Sequence, residues 1–373
     1  MQNRKRRNWL LLGGWLSSYT FELFETVSAL GGVEVRFLHH PLAGLPSFQH
    51  ERTSEHSGHR LWWDSTGFSK IRRFVREPAP DVVFVYGNRP RFKMAYALSQ
   101  LPRGVPVYYA ADTNIAALCA SGWKAHIRRL ACRQVAGRAI AALSLGMSNR
   151  LALQFLGFHK IIDLPSYAID FEVLDHSAAE RASEDITAGG HKTTLLVIAR
   201  LVPEKNLPAL AAVLAADPVL ANSVRLVIAG EGPERATLEA IKGRSPSLDL
   251  RLLGAVPHSQ IGRLLARADA LLLPSRSEPW GIVVVEALGM GLPVIATPAV
   301  GAAFSLADET QAILLSESAE PQSLLKAIRN FSKRRDLLAQ RARAATSTIR
   351  TRYGVDPIWW TVSLRSFLTS FLH

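Results

Sequence analysis

The sequence has 373 residues, with 44 Lys and Arg against 31 Asp and Glu, which gives a formal net charge of +13 at pH 7. A hydrophobic content of 48% excludes an intrinsically disordered chain, and two cysteines exclude a disulfide framework. The length exceeds the ~250–300 residues at which single cores stop growing, so two domains are expected. The positive charge leaves three classes of partner open: nucleic acid, an anionic membrane surface, or a phosphate-bearing substrate.

The N-terminus combines a basic run, Arg4–Arg7, with the apolar stretch Trp9–Leu12. This arrangement is similar to a signal peptide, but Gly13 and Gly14 interrupt the apolar stretch and no small-residue cleavage site follows. We interpret it as a first buried strand that ends in a glycine turn. The basic run is interpreted as a solvated arm, with contact to anionic lipid as the alternative.

Short apolar runs without alternation then follow one another along the first half of the chain, separated by amphipathic stretches. Such runs are typical of parallel strands buried on both faces. The predicted strands are Trp9–Leu12, Val33–Leu38, Val82–Tyr86, Val105–Ala110 and Ala139–Leu143, with helices at Phe21–Leu30, Lys93–Leu101 and Lys124–Ala136.

The same pattern restarts after the small and polar residues 176–192, which predict a linker. The predicted strands there are Thr194–Ala199, Arg225–Ala229, Leu248–Leu253, Ala270–Leu273, Pro293–Ala296 and Ala312–Leu315. The predicted helices are Leu207–Ala216, Pro233–Lys242, Ser259–Ala266, Ile282–Gly289 and Pro321–Phe331. The fold class is therefore α/β, with two doubly wound, Rossmann-like domains.

The uncharged run 282–307, interrupted only by Glu286, is long enough to cross a bilayer. Its prolines and glycines divide it into a short helix, a strand and a loop, and a carboxylate is costly at the midplane. We therefore predict that it is not a membrane span.

The stretch 273–294 carries the most chemical information. It predicts a buried strand, a loop with Glu278 and Trp280, and a helix that starts near Ile282. Ligands of open parallel sheets bind at the carboxyl ends of the strands, where the amides of Gly281–Val283 would form an anion site. Glu286 lies in an otherwise apolar helix and needs a partner or a ligand hydroxyl, such as a ribose offers.

Two further strands run into polar loops at the same predicted edge. Arg200 and Lys205 follow the first strand of the second half. Two cations beside helix N-termini suit a diphosphate, and they can also stabilise the charge that develops on a departing phosphate. The turn 229–233, with Glu231, follows the next strand; it lacks the third glycine of a dinucleotide fingerprint.

Taken together, these motifs resemble the retaining GT-B-fold glycosyltransferases of family 4, also called glycosyl transferases group 1. The resemblance is strong from about residue 190 to 300 and weaker from 139 to 175. The motifs that carry it are the Glu278-to-Glu286 spacing with its Glu-Pro-Trp-Gly start, the loop from Arg200 to Lys205, and the 229–233 turn.

The resemblance implies a GT-B architecture with an interdomain cleft: residues 1–175 bind the acceptor, residues 176–356 bind the donor, and a C-terminal helix at 357–373 returns to the first domain. It also implies site roles. The donor residues would be Arg200, Lys205, Glu231, Val256, Glu278, Trp280, Gly281, Ile282, Val283 and Glu286, with Gly13 and Gly14 facing the acceptor. Glu278, Arg200 and Lys205 would take part in catalysis.

Some positions depart from the family pattern. Ala199 stands where glycine is usual before Arg200, and the first domain has no counterpart of the reaction-centre histidine. Asp112, after a predicted strand, occupies a comparable place; we treat it as a catalytic candidate, with a helix N-cap as the alternative. Trp280 is interpreted mainly as a packing residue. No Asp-x-Asp metal site is found, so neither a metal nor another cofactor is expected.

The predicted function is retaining transfer of a sugar from a nucleotide-sugar donor to a hydroxyl acceptor, with a lipid-linked glycan of cell-surface polysaccharide synthesis as the favoured acceptor. The expected location is the cytoplasm, at the inner face of the membrane. Two alternatives stay open: a sugar-nucleotide epimerase with the same fold, and an inactive nucleotide-sugar-binding partner of another transferase. Nucleic-acid binding is not expected, because no recognisable module occurs.

Overall fold

The computed structural model describes residues 7–13, 33–39, 60–62, 67–86, 92–110, 123–144, 146–163, 169–179 and 192–354. The chain divides into two compact units, Met1–Tyr167 and Ala168–His373. Each unit contains one parallel sheet.

The first unit has a seven-stranded sheet in the order β3-β2-β1-β4-β5-β6-β7. Its strands are β1 (Arg7–Gly13), β2 (Val33–His39), β3 (Arg60–Trp62), β4 (Val82–Tyr86), β5 (Val107–Ala110), β6 (Ala141–Ser144) and β7 (Ile161–Asp163). Its described helices are α1 (Phe68–Arg76), α2 (Phe92–Ser99), α3 (Trp123–Ala136) and α4 (Met147–Phe155).

One core covers a face of this sheet. Leu10 and Leu12 of β1 share it with Val83 and Val85 of β4, since alternate strand residues point to the same side. The helices pack their apolar sides against this face of the sheet. The core residues that α1–α4 contribute are Ile71, Val75, Met94, Ala97, Leu98, Cys132, Val135, Ala152 and Leu153. The uninterrupted apolar strands thus form the buried parallel sheet that their sequence predicts.

The second unit has a six-stranded sheet in the order β10-β9-β8-β11-β12-β13. Its strands are β8 (Thr193–Ile198), β9 (Val224–Ala229), β10 (Asp249–Gly254), β11 (Ala270–Leu273), β12 (Val294–Ala296) and β13 (Ile313–Leu315). Its helices are α5 (Phe171–Ala179), α6 (Leu207–Ala216), α7 (Pro218–Ser223), α8 (Arg235–Arg244), α9 (Ile261–Leu265), α10 (Ile282–Gly289), α11 (Gly301–Thr310) and α12 (Pro321–Tyr353), with 3-10 turns at Pro203–Lys205 and His258–Gln260.

Two predictions in this unit were wrong. The last helix does not end at Phe331 but continues to Tyr353, because Leu338, Ala342 and Ile349 are buried despite the charged residues between them. The stretch after β12, predicted as a loop, contains α11. This helix begins at Gly301, where a Cβ would lie 2.1 Å from the Pro279 carbonyl oxygen, so its start depends on a neighbouring loop rather than on local sequence.

The domain boundary predicted at residue 175 falls inside α5. This helix packs against α9 so closely that a Cβ on Gly262 would lie 1.9 Å from the Leu174 carbonyl oxygen. Arg350 of α12 also donates two 2.7 Å hydrogen bonds to the Asp175 carboxylate. The helix is therefore part of the second unit. The predicted helix at 21–30, most of the linker (180–191) and the C-terminal segment 357–373 lie outside the described residues.

Within the part of the chain that the structure describes, no helix combines the length and the apolar character that a membrane crossing requires. The run 282–307 contains α10, β12 and the start of α11.

Candidate functional site

The polar loops of the second unit meet at one edge of its sheet. Because all strands are parallel, the segments that follow β8, β9, β10, β11 and β12 emerge at their shared carboxyl edge. Backbone hydrogen bonds tie these loops together: Gly230 N to Gly254 O (2.7 Å), Leu201 N to Glu231 O (2.8 Å), Arg276 N to Glu204 O (2.8 Å) and Glu278 N to Ala299 O (3.2 Å). The edge is thus a connected layer of loops that can hold side chains in fixed positions.

Lys205 and Glu278 form an ion pair at this edge. The 3-10 turn after β8 presents the lysine, and the loop after β11 presents the glutamate. Asn206 fixes the turn: it has a left-handed backbone (φ 58°), and its side-chain amide donates to the carbonyls of Pro274 (3.2 Å) and Ala319 (2.8 Å). The two side chains are only 10% and 19% exposed, so their charges face little solvent screening.

The N-terminus of α10 lies beside this pair. Its N-cap, Gly281, has a φ of +85°, and a Cβ there would lie 3.0 Å from Val300 Cγ1 and 3.1 Å from Glu278 Cγ. Glycine is therefore required both by the backbone and by the close approach. The first-turn amides at Gly281, Ile282 and Val283 have no intrahelical acceptor, so they favour an anion in front of the helix.

Trp280 anchors the same loop. Its ring is buried and lies 6.5 Å from the ring of Tyr353, and its carbonyl accepts a 2.7 Å hydrogen bond from Ala302 N. The indole Nε1 is buried with no hydrogen-bond partner among the described residues. These contacts agree with a packing role for the side chain.

Glu286 is the buried carboxylate of α10, only 3% exposed. Its Oε1 lies 2.9 Å from Nε2 of His258, which belongs to the 3-10 turn after β10. The partner that this carboxylate needs is therefore a histidine from the neighbouring loop. His258 was not singled out from sequence. Its place four residues after a strand end, at the edge that carries the other polar residues, is a signal that could have identified it.

Three other predicted donor residues lie on the same edge. Arg200 is exposed, and among the described residues its guanidinium has no side-chain partner. Glu231 pairs with Arg235 one helical turn later, at 2.7 Å. Val256 is half-buried in the loop after β10. Of the donor residues, the structure thus brings Lys205, Glu278 and the α10 N-terminus together most closely.

A second acidic group lies behind the β8 loop and was not singled out from sequence. Burial raises the pKa of Glu234, the nearby Glu204 raises it further, and Arg276 opposes both. Glu234 Oε2 is buried with no hydrogen-bond partner among the described residues. Glu204 and Glu234 thus lie near each other and near Arg276, next to the turn that carries Lys205.

The residues predicted in the first unit are less fully described. Gly13 ends β1, where it is paired with Tyr86 of β4, at the carboxyl edge of the first sheet. Gly14 and Asp112 lie outside the described residues, so their roles stay predictions.

Comparison with known proteins locates a family domain on this site. Residues 179–348 match the family model described as "Glycosyl transferases group 1". The match covers the loops that carry Lys205 and Glu278 and the helix that carries Glu286.

Curated relatives are similar over shorter parts of the chain. The phosphatidylinositol N-acetylglucosaminyltransferase gpi3 subunit of Schizosaccharomyces pombe is 38% identical over 105 residues, which are 28% of this chain and 23% of the relative. The putative teichuronic acid biosynthesis glycosyltransferase TuaC of Bacillus subtilis is 35% identical over 134 residues, 36% of this chain and 31% of that protein. The chain thus spans less than a third of the length of these two relatives.

Solved structures are similar over nearly the whole chain. Sucrose-phosphate synthase of Thermosynechococcus elongatus superimposes with a TM-score of 0.73 at 14% identity, covering 98% of this chain and 100% of that one. HepE of Anabaena, solved in complex with UDP-glucose, gives a TM-score of 0.71 at 17% identity and covers 97% and 99%. The chain therefore has the GT-B fold, and residues 179–348 of its second unit match the family model for glycosyl transferases group 1.

Proposed function

We propose that the chain transfers a sugar from a nucleotide-sugar donor to a hydroxyl acceptor, with retention of the anomeric configuration and without a metal ion. The observation that carries this proposal is the placement of the Lys205–Glu278 pair beside the α10 N-terminus, with Glu286 on the same helix. A cation and free amides suit a diphosphate, and the two carboxylates suit sugar and ribose hydroxyls. One nucleotide sugar can satisfy all of these groups.

In the proposed complex, Lys205 turns from Glu278 toward the diphosphate, and exposed Arg200 joins it. Glu278 then accepts hydrogen bonds from the donor sugar. The bond between the anomeric carbon and the diphosphate oxygen breaks, and the acceptor oxygen forms its bond on the same face. The acceptor proton passes to the departing diphosphate, whose charge Lys205 and the α10 amides stabilise. This route needs no protein nucleophile.

Glu286 binds the ribose in this proposal. Since His258 already contacts the carboxylate at 2.9 Å, a ribose hydroxyl either displaces the imidazole or shares the carboxylate with it. The histidine satisfies the buried charge while the site is empty. Val256, two residues earlier, is proposed to contact the base.

The acceptor is proposed to be a lipid-linked glycan at the inner membrane face, used in cell-surface polysaccharide synthesis. Two relatives support this choice by name: one is named for phosphatidylinositol, and one for teichuronic acid biosynthesis. Gly13 and Gly14 are the proposed acceptor contacts of the first unit, with Asp112 as the candidate catalytic residue there.

The proposal is tested with UDP-, GDP- and ADP-sugars, first by thermal shift and then by donor hydrolysis or transfer. At least one donor should raise the unfolding temperature, because ligands that bind only the folded state stabilise it. Lys205→Ala and Glu278→Ala should abolish this shift and the turnover. Lys326→Ala and Glu317→Ala are the matched controls, because they form an exposed ion pair of the same chemistry. Wild-type turnover in both site variants, or no shift with any donor, would contradict the proposal.

A further inference from the structure

The outer face of the first unit carries apolar side chains that the core does not use. On α4, Met147, Leu151 and Phe155 are 53%, 41% and 41% exposed, and their spacing of four residues places them on one side of the helix. On α3, Ile127 and Leu130 are each 56% exposed. We call these five residues the apolar stripe.

The two helices lie on the same face of the sheet. α3 connects β5 to β6 and α4 connects β6 to β7, so two right-handed crossovers in the same direction place them side by side. Both also bury their inner residues in one core, through Cys132 and Val135 on α3 and through Ala152 and Leu153 on α4. The apolar stripe is therefore on the outer side of both helices.

The charge of this region is of one sign. From Thr113 to Ile162 the sequence has no Asp or Glu, and it has seven Lys and Arg. Arg133 and Arg138 are exposed and Arg129 is half-buried, so described cations accompany the apolar stripe on and after α3. A helix face that combines cations with apolar side chains, in a segment without Asp or Glu, complements anionic headgroups above an acyl layer.

We propose that the outer face of α3 and α4 binds the surface of an anionic lipid bilayer. The apolar stripe enters the headgroup boundary and the arginines contact lipid phosphates. A second copy of the chain is a poorer occupant, because two faces with the same positive charge repel each other. Bound to the bilayer, this surface would bring the chain to a lipid-linked acceptor. Only this consequence rests on the proposed function; binding of the bilayer itself does not.

The test is co-sedimentation of the full chain with phosphatidylcholine vesicles, with and without phosphatidylglycerol, and without donor or acceptor. Wild type should bind the anionic vesicles and lose affinity as salt rises. The double variant Arg129→Gln/Arg133→Gln should lose about fivefold per cation. The triple variant Met147→Gln/Leu151→Gln/Phe155→Gln should lose at least about tenfold, and this loss should persist at high salt.

Matched variants on the second unit test whether vesicle binding is specific to the outer face of α3 and α4. Val219→Gln/Phe304→Gln/Leu337→Gln removes three apolar groups that are at least 42% exposed, and Lys333→Gln/Arg334→Gln removes two exposed cations. Both should bind vesicles as wild type does. Equal losses in these controls, unchanged binding of the α3 and α4 variants, or no binding of wild type to anionic vesicles would overturn the proposal.

Two further readouts identify other occupants. Loss of a dimer from the α4 triple variant, seen by light scattering, would make the face an interface between copies. A drop in its thermal stability would mean that another segment of the chain covers the face. Either result overturns the membrane proposal. UDP-sugar binding should be unchanged in all these variants. If vesicle binding fails while UDP-sugar binding is normal, the proposed function still stands. If wild type binds vesicles but no UDP-sugar, only the proposed function is contradicted.

Discussion

The two units share an architecture but use their charges differently. The first unit, residues 1–167, has 22 Lys and Arg against 10 Asp and Glu, a net charge of +12; the second has 22 against 21. The second unit pairs its cations internally: the described pairs include Lys205–Glu278, Arg225–Asp249, Arg329–Asp217, Arg350–Asp175 and Arg352–Glu309. The charge excess of the chain is thus a property of one unit, where it is available to a partner.

Equal numbers of Lys and Arg therefore have different roles in the two units. In the second unit, carboxylates pair with many of the described cations and link loops, strands and helices. In the first unit, the acid-free segment 113–162 offers its cations no nearby carboxylate in sequence. Substitutions that break pairs in the second unit measure what each pair contributes, and the vesicle experiment measures the role of the excess cations in the first unit.

The largest effect is expected at the site pair. Lys205→Ala should lower kcat/KM for sugar transfer by about 10²–10³-fold, as loss of one preorganised electrostatic group typically does. Because the variant also leaves Glu278, which is 19% exposed, without this partner, its stability is measured alongside by thermal unfolding. Steady-state kinetics checks this, with Lys326→Ala as the control. A loss below threefold would show that this pair is structural like the others.

The next effect concerns the fully buried Arg225 of β9. Its Nε donates a 2.7 Å hydrogen bond to Asp249 on the neighbouring strand β10. Burial alone would raise the pKa of Asp249, but hydrogen bonds from Arg251 and Arg225 outweigh it and hold the pKa below its usual value. Arg225→Met should therefore cost about 3 kcal/mol of unfolding free energy, since it leaves a carboxylate without its buried partner.

Calorimetric unfolding of the full chain measures this cost. Arg251→Met is the matched control, because Arg251 contacts the same carboxylate from a more exposed position, 28% against 0% for Arg225. The control should cost less than Arg225→Met. Equal costs would mean that burial of the cation does not decide the strength of the pair.

His258 gives a smaller effect that involves both stability and ligand binding. His258→Ala leaves Glu286 buried without this partner, which should cost about 1–3 kcal/mol in the empty protein. If the ribose binds Glu286, UDP should then stabilise the variant more than the wild type. The thermal shift with UDP checks this, and a 2′,3′-dideoxy analogue is the control that should give no extra gain. Equal thermal shifts with UDP in the variant and in wild type would show that His258 does not affect ribose binding at Glu286.

The smallest effect is expected at Asp175, which joins α5 to α12. Its hydrogen bonds with Arg350 hold the pKa of this carboxyl below its usual value of about 3.9, although burial opposes them. A lowered folded-state pKa stabilises the protein above the unfolded pKa, and the stabilisation is lost as pH falls through the folded value.

Asp175→Asn should therefore cost less than about 1 kcal/mol at neutral pH, because the pair is about half exposed and screened by solvent. The difference from wild type should shrink below about pH 4 and vanish once the carboxyl is protonated. Unfolding curves between acid and neutral pH test this. A difference that does not change with pH would assign the cost to packing of α5 instead.

Much of the fold could be predicted where local pattern and tertiary packing agree. The predicted bounds of α6, β11 and α10 are those of the structure, since each is a dense apolar run that ends at a turn residue. The short strand β3 and the helix α11 could not be predicted. Three residues give no period, and α11 depends on the Pro279–Trp280 loop beside its first residues.

The candidate site shows the same division. Lys205, Glu278 and Glu286 follow from charged residues placed at strand ends or in an apolar helix. Their partners do not follow, because an ion pair spanning 73 residues and a His–Glu contact spanning 28 residues depend on which strands are neighbours.

The sequence by itself determined the α/β class, the repeated strand–helix order and the edge that carries the polar residues, since periodicity and strand-end chemistry are local properties. Only the tertiary structure decided that Lys205 pairs with Glu278, that His258 satisfies Glu286, and that α12 runs to Tyr353. It also decided that the net charge of +13 lies mainly on the first unit, whereas the second unit has nearly equal numbers of acidic and basic residues and many ion pairs. The physical reason is that burial and pairing free energies arise between segments distant in sequence, and they exist only once the parallel sheet has set which segments meet.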